Sequence, residues 1–364
     1  MCLTMRITKL FAFVAAAALF SVACEPTTGG GEEQKPDTTT ITLSVDNSVV
    51  GIDSAVTFTV MNGEEDVTSA CTFYNAATDE VVSNPYTTPM EEGIFEFYAT
   101  WGFYQSNTVA VEVTTGDNFN HRVLLIDHTG TNCPNCPNMI AMLKALSENS
   151  QYHHRCNEAV CHTYNSSEPA SSTDAYTVSS YYSQNIVSFG YPRLFYNFRN
   201  KTTTSGHPNT TDGVKNIMAE IDKLWKRAAD AGIKATSSIE GNQLVVDIEV
   251  TSKVEQNYHA VVWVLEDGIY GYQNGARHEW MNTHNNALRR ISSGSVSELS
   301  GEDMGVIAVD GVATKRITTT LDGSWKKQNL KALIIISAPN KDGNYEVVNT
   351  AVCPANGSID YEYR

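Results

Sequence analysis

The tetrapeptide Cys133-Pro134-Asn135-Cys136 lies between an apolar strand and a helix, and this position constrains the fold of the surrounding chain more than any other feature. Residues 123–127 form an apolar run typical of a buried strand, and residues 139–146 carry apolar side chains at helical spacing. A cysteine at a helix N-terminus faces free backbone N–H groups and the positive end of the helix dipole, which favour the thiolate. The sequence therefore predicts a site for thiol–disulfide chemistry.

The N-terminus has the pattern of an export signal. Residues 1–23 contain two basic residues followed by an apolar stretch that is too short to span a bilayer as a folded helix. Ser21-Val22-Ala23-Cys24 resembles a lipobox, in which Cys24 becomes the lipid-carrying N-terminal residue of a bacterial lipoprotein. Residues 24–37 are polar and rich in glycine, which predicts a flexible tether. The alternative is a simple secretory signal in which Cys24 has no role.

The chain is acidic. Its net charge is −16, and loss of the two basic residues in the signal takes the mature chain from −16 to −18. Because nucleic-acid binding needs a basic footprint, this charge argues against such a partner. With 364 residues and 41% apolar content, the chain is expected to form two or three domains.

The cysteines that follow Cys24 allow two interpretations. An exported protein meets an oxidising compartment, so disulfide pairing is plausible for these cysteines, which are Cys71, Cys133, Cys136, Cys156, Cys161 and Cys353. Four of them, Cys133, Cys136, Cys156 and Cys161, also have the spacing of two zinc-knuckle pairs, with histidines nearby. A pair that caps a helix after a core strand fits redox chemistry better than zinc, and neither a metal nor a cofactor is predicted.

Hydrophobic patterning divides the mature chain into three segments. Residues 38–116 show short alternating strands between turn residues, which predict an immunoglobulin-like β-sandwich. Residues 117–231 alternate strand and helix, which indicates an α/β layer whose first two strands are parallel and whose last helix spans roughly 212–231. Residues 232–364 return to strand patterning and predict a second, larger β-sandwich.

The central segment resembles the thioredoxin superfamily. The match rests on Leu124-Leu125-Ile126-Asp127, the C-x-x-C that follows, and the later Tyr191-Pro192 before a strand. The resemblance implies that Cys133 is the attacking thiol and Cys136 the resolving one. It further implies that Asp127 accepts the proton of Cys136, since burial raises a carboxyl pKa toward neutrality. Tyr191 and a cis Pro192 would face the sulfurs and bind a thiol substrate.

Over its whole length the chain resembles the outer-membrane-protein-28-related lipoproteins of Gram-negative anaerobes. The resemblance rests on the lipobox, on residues 128–137 (HTGTNCPNCP), and on two C-terminal stretches, 267–273 (DGIYGYQ) and 284–289 (HNNALR). It implies a multidomain protein that is lipid-anchored in the outer membrane and faces the periplasm or the cell surface. The membrane is then one partner, through the lipid anchor.

Two functions are consistent with these features. The central segment predicts an anchored thiol–disulfide oxidoreductase that acts on exported thiol proteins. Alternatively, the protein is a non-catalytic surface lipoprotein whose β-sandwiches bind a polymer or a partner protein, with the C-x-x-C as a structural disulfide. His278, Glu279 and His284 do not have metalloprotease spacing, because their two imidazoles would not share one helix face. His162, near the end of the second core strand, is a further candidate to approach Cys133.

Overall fold

The computed structural model describes the following residues: 40–114, 118–198, 200–226, 228–292 and 301–363. The predicted signal 1–23, the lipidation site Cys24 and the tether 24–37 lie outside these residues and stay predictions. Within the described part of the chain, none of the helices is both long enough and apolar enough to cross a bilayer.

The first segment is a β-sandwich. Its strands are β1 Ile41–Val45, β2 Val49–Gly51, β3 Ala55–Val56, β4 Phe58–Asn62, β5 Glu65–Asp66, β6 Thr72–Asn75, β7 Val81–Val82, β8 Tyr86–Thr87, β9 Gly93–Trp101, β10 Tyr104–Gln105 and β11 Val109–Thr114. The sheet β1-β4-β5 packs against the sheet β2-β11-β9-β6-β7, and β10 extends β9. Phe97 is buried, and its ring centroid lies 5.1 Å from that of Phe58.

The central segment has the predicted alternation of strands and helices. Its elements are β12 Val123–Thr129, α1 Cys136–Ser147, β13 Cys156–His162, α2 Thr173–Asn185, β14 Arg193–Tyr196, β15 Thr203–Ser205 and α3 Thr210–Leu224. The strand order is β15-β14-β12-β13. The predicted parallel pairing of the first two strands is confirmed, since β12 and β13 run parallel from Val123 opposite Cys156 to Thr129 opposite His162.

The C-terminal segment is almost entirely strand. Its strands are β16 Ala231–Glu240, β17 Gln243–Ser252, β18 Gln256–Glu266, β19 Ile269–Tyr270, β20 Thr283–His284, β21 Ala287–Ile291, β22 Glu302–Ile307, β23 Val312–Thr320, β24 Leu330–Pro339, β25 Tyr345–Pro354 and β26 Ser358–Ile359. The strands β23-β17-β16-β26 form a separate four-stranded sheet. Apolar side chains of β18 and β24, such as Val262 and Ile334, pack against Ile248 of that sheet, which gives the sandwich its core.

One sheet continues from the central segment into the C-terminal segment. Its order is β15-β14-β12-β13-β21-β18-β24-β25, with β22 also paired to β18. The join is a parallel contact between β13 and β21, at which Val160 lies opposite Ala287 and Val160 N donates to Asn286 O at 2.8 Å. The C-terminal β-sandwich therefore shares one of its two sheets with the α/β segment.

The two faces of this shared sheet are covered differently. On one face, Leu124 of β12 and Trp263 of β18 pack in the same cluster as Tyr182 of α2. Because side chains alternate along a strand, Leu125 faces the other way, where it packs with Met142 of α1. This second face is covered by α1 and α3 over the central strands and by the four-stranded sheet over the C-terminal strands.

The last predicted helix of the central segment is too long by seven residues. It was expected to reach Ala231, but α3 ends at Leu224 and Ala231 begins β16. The reason is tertiary, because the Trp225 indole N–H donates to His121 O at 2.9 Å and Ala229 bridges to Phe119. These contacts end α3 at Leu224, and a helical pattern in the sequence does not reveal them.

Arg155 joins the first segment to the central one. Its guanidinium forms ion pairs with Asp53 of the first segment at 3.3 Å and with Asp222 of α3 at 3.1 Å. The same group lies 4.1 Å from the ring centroid of Trp225. Arg155 and Asp53 are both nearly buried, so their ion pair compensates charges that water reaches poorly.

We expect Arg155→Ala to destabilise the protein by about 3–5 kcal/mol, because it leaves the Asp53 carboxylate buried without its guanidinium partner. Urea unfolding followed by circular dichroism and by tryptophan fluorescence measures this loss. The control is Arg316→Ala, which removes an exposed ion pair with Asp247 at 2.7 Å and should leave the stability nearly unchanged. Equal losses in both variants would contradict a role for Arg155 in joining the two segments.

Candidate functional site

Cys133 and Cys136 form a disulfide, with their Cα atoms 5.4 Å apart. α1 begins at Cys136, so the first cysteine lies in the turn before the helix, not on it. The backbone N–H of Cys136 donates to Cys133 O at 3.3 Å and closes this turn. Cys133 is 1% exposed and Cys136 is 0% exposed. In this arrangement neither sulfur presents a surface to an external thiol.

A loop of the C-terminal segment covers the disulfide. This covering loop comprises residues 271–282. Gln273, which makes most of its contacts with the C-x-x-C turn, is completely buried. The Gln273 side-chain N–H₂ lies 3.2 Å from Gly130 O, 3.2 Å from Thr131 O and 3.1 Å from Cys133 O. An amide carries only two hydrogens, so they are shared among these carbonyls. The side chain thereby fixes the backbone that leads into the C-x-x-C turn.

The neighbours of Gln273 complete the cover. The Asn274 N–H donates to Thr131 O at 2.7 Å. Gly275 has a positive φ of 76°, and a Cβ at this position would lie 2.7 Å from Pro134 O. Only glycine lets the two backbones approach so closely. The sequence carried one usable signal, the run Gly271-Tyr272-Gln273-Asn274-Gly275, which indicates a turn but not its partner.

The structure brings the predicted cis-proline next to the C-x-x-C turn. The Tyr191-Pro192 peptide bond is cis. Gly206 lies between this proline and the turn, because a Cβ on Gly206 would be 2.7 Å from Pro192 Cγ, 3.3 Å from Asn138 Cβ and 3.5 Å from Asn135 O. Any side chain at position 206 would separate them. The substrate-binding role predicted for Tyr191 and Pro192 stays a prediction.

The Tyr191 side chain is held in a chain of buried polar groups. Its hydroxyl lies 3.1 Å from Thr163 Oγ1, which lies 2.8 Å from Ser179 Oγ. The Ser179 hydroxyl in turn is 2.6 Å from His128 Nδ1. Burial lowers the pKa of His128 to about 3, so this imidazole is neutral at physiological pH. The chain therefore fixes Tyr191 through uncharged hydrogen bonds.

Asp127 is buried on the face of β12 that α1 covers. It lines a cavity together with Ile140 and Leu143 of α1 and with Glu158 of β13. Burial, with a smaller contribution from the nearby Glu158 carboxyl, raises the pKa of Asp127 well above its ordinary value. Burial likewise raises the pKa of Glu158 to about 7. Asp127 thus has the burial and the raised pKa that its predicted role as a proton acceptor requires, and the role itself stays a prediction.

His162 does not face the disulfide. Its Nδ1 lies 3.0 Å from a carboxylate oxygen of Glu168, and the same oxygen accepts the Thr131 N–H at 2.6 Å. Burial opposes ionisation of Glu168, but the hydrogen bonds from His162 and Thr131 outweigh it and lower the Glu168 pKa. His162 therefore supports the loop before Cys133 through Glu168. His284 packs edge-on against His162 at 4.7 Å between ring centroids.

Neither the cysteine zinc site nor a metal site at His278 and His284 fits the geometry. Cys156 packs on the α1 side of β13 and Cys161 on the α2 side, so they can neither converge with the C-x-x-C on one zinc ion nor pair with each other. Together with Cys71 and Cys353 they are free thiols. His284 Nε2 lies 2.9 Å from Gly271 O, whereas His278 stacks on Trp280. Across the described ranges, no group of three His, Cys, Asp or Glu side chains is arranged to hold a metal ion.

Asp127 destabilises the folded protein at neutral pH. Because its folded pKa is raised above the unfolded value of 3.8, stability is fully present below that pH and is lost as pH rises toward the folded pKa. We expect the stability advantage of Asp127→Asn over the natural chain to grow as pH rises above 3.8, since asparagine has no proton to lose. Urea midpoints at a series of pH values above 3.8 measure the difference. Glu158 is present in both proteins, and its raised pKa changes their stability with pH in the same direction. A difference in stability that does not widen as pH rises would therefore contradict the raised pKa of Asp127.

Comparison with known proteins identifies a similar fold. No protein-family model matches the chain, and no curated protein matches it. Among solved structures, HBP35 of Porphyromonas gingivalis is similar to this chain with a TM-score of 0.52 and 16% sequence identity. The match covers 66% of this chain and 77% of the HBP35 chain. At this level of identity, the similarity is one of fold.

Proposed function

We propose that this chain is a lipid-anchored protein of the outer membrane whose central segment is a thioredoxin-like module with a structural disulfide. The module is supported by the order of its elements: a buried strand, the C-x-x-C turn, a helix, a parallel strand, a second helix and a strand that follows a cis-proline. The anchor is supported by the lipobox at Cys24 and the preceding signal pattern. The acidic charge of the chain argues against a nucleic-acid partner.

The burial of the disulfide beneath the covering loop carries this proposal. The attacking sulfur of a thiol–disulfide oxidoreductase must reach a substrate sulfur, because exchange proceeds through a mixed disulfide. Here Cys133 is 1% exposed, and Gln273 binds its carbonyl oxygen. A substrate would have to displace the covering loop before any sulfur could react.

A structural disulfide here acts chiefly through geometry. Closing a loop of four residues removes little entropy from the unfolded chain, worth about 2 kcal/mol in the loop-entropy model. The bond also holds the carbonyl groups of Gly130, Thr131 and Cys133 in the positions that Gln273 binds. In this proposal the disulfide secures the joint between the central and C-terminal segments.

Thiol–disulfide exchange is the second candidate, favoured by the position of Pro192 beside the turn and by the burial of Asp127. In the reduced protein, Cys133 thiolate would attack a disulfide of an exported protein and release one substrate thiolate. Cys136 would then lose its proton to Asp127 and attack Cys133, which frees the second substrate thiolate and restores the Cys133–Cys136 bond. An external dithiol must reduce that bond before each turnover.

We expect Gln273→Ala to speed reduction of the native disulfide by dithiothreitol. The substitution removes the two hydrogen bonds that the amide can donate, whose net contribution lowers the free energy of local opening by about 1–3 kcal/mol. This corresponds to roughly a tenfold to hundredfold increase in the rate of reduction. Thiol trapping and mass spectrometry follow the reaction, with the exposed Gln243→Ala as the control. Rapid reduction of the natural chain, or its turnover in an insulin-reduction assay, would instead support the oxidoreductase.

Lipidation is tested separately. We expect the mature protein to begin at Cys24 with a diacylglyceryl modification, and Cys24→Ala to lack the lipid and leave the membrane fraction. Mass spectrometry of the N-terminal peptide and membrane fractionation measure these two outcomes. A mature chain that is cut before Cys24 but carries no lipid would contradict the anchor and leave a simple secretory signal.

A further inference from the structure

A cavity of about 520 Å³ lies beside the disulfide site, between the sheet and α1. Its floor is formed by Asp127 and Thr129 at the carboxyl end of β12 and by Glu158 in the first half of β13. One wall is α1, and the opposite wall is the chain from Trp280 to Asn286. This volume is within the range of small-molecule sites in proteins.

Two polar atoms on the cavity floor have no protein partner. Among the described residues, neither Asp127 Oδ1 nor Thr129 Oγ1 has a hydrogen-bond partner, although both side chains are only 1% exposed. A buried polar atom without a partner destabilises the folded protein. Since both residues line the cavity, a ligand there can supply the missing hydrogen bonds.

The charges around the floor favour a cation. The Glu158 carboxyl opposes ionisation of Asp127, and the Asn286 side-chain amide donates to Glu158 at 3.0 Å. Lys144, on the wall formed by α1, pairs with Glu148 and lies 5.4 Å from the Trp280 ring centroid. A cation next to the two carboxyls would compensate both charges at once.

The titratable groups on the remaining walls do not supply that cation. His162 is paired with Glu168. Burial and the proximity of His162 lower the pKa of His284 to about 4, so this imidazole is neutral at pH 7. Lys331 acts on Glu158 from outside the cavity lining and is paired with Asp267 at 2.6 Å. Among the described residues that line the cavity, none places an unpaired cation beside the two carboxyls, so a ligand can supply that charge.

Part of the cavity wall is apolar, and this part suits the hydrocarbon of an organic cation better than a bare metal ion. Ile140, Leu143 and Val160 line it together with the indole of Trp280. These side chains offer no ligands to a metal, but they can pack against a short hydrocarbon chain. We propose that this cavity binds a small primary amine, whose ammonium group is held by Asp127 and Glu158 and whose alkyl part lies against α1 and Trp280.

The site is independent of the role proposed for the disulfide. None of the lining residues is a cysteine, and the site needs no displacement of the covering loop at Gln273. Burial raises the pKa of both carboxyls, and a bound ammonium group favours their ionised forms, so we expect protons to be released when the amine binds. This release separates amine binding from simple apolar packing.

The test uses the mature oxidised protein with n-pentylamine as the probe and n-pentanol as its uncharged match. An alkylamine, like a lysine side chain, is protonated at pH 7. We expect saturable binding of the amine, seen by calorimetry and by Trp280 fluorescence, with pentanol at least about tenfold weaker, equivalent to 1.4 kcal/mol. Heats measured in two buffers of different ionisation enthalpy should reveal proton release.

Asp127→Asn and Glu158→Gln should each weaken the amine at least about tenfold. Glu112→Gln, an exposed carboxylate of the first segment, should leave the affinity unchanged. Because Asp127→Asn is expected to be more stable than the natural chain at this pH, its loss of binding cannot be ascribed to misfolding. Absence of binding, equal affinity for pentanol, or full affinity in both site variants would overturn the proposal.

Discussion

The parallel contact between β13 and β21 is the constraint on which the other features of this structure depend. It consists of one register pair, Val160 opposite Ala287, near the carboxyl end of β13. Because this contact makes one sheet of two segments, the connection from β18 to β21 leaves and re-enters the sheet beside the C-x-x-C turn. Gln273 lies in that connection, 140 residues from the carbonyl of Cys133 that it binds. A small amount of backbone pairing thus determines what covers the sulfurs.

The same connection forms two sites with different physical characters. Its first half covers the disulfide with hydrogen bonds from one buried amide, and its second half forms a wall of the cavity above Asp127. The first half satisfies backbone carbonyls, whereas the second leaves a carboxyl oxygen without a partner. Proteins tolerate such local costs mainly where a functional site requires them. Stability and binding therefore oppose each other within one segment of about twenty residues.

Features set by local sequence were predictable, and features set by distant contacts were not. The apolar run before Cys133 and the spacing after Cys136 are enough to predict β12 and α1. The end of α3 was misplaced because the Trp225 indole binds a carbonyl 104 residues earlier in the chain. The turn signal around Gln273 did not reveal what this side chain binds, since its partners are backbone carbonyls that every sequence possesses. The shared sheet was missed for the same reason, because a single parallel pair leaves no periodicity in the sequence.

The long separation between the disulfide and its cover has a consequence for the order of events after synthesis. In a chain exported from its N-terminus, as proposed here, Cys133 and Cys136 reach the far side of the membrane well before Gln273 does. During that interval the two thiols are accessible to a cellular oxidant. Once β21 has paired with β13, the covering loop closes over the bond and excludes reductants from it. Translocation in this order would therefore allow the Cys133 and Cys136 thiols to be oxidised before folding covers them.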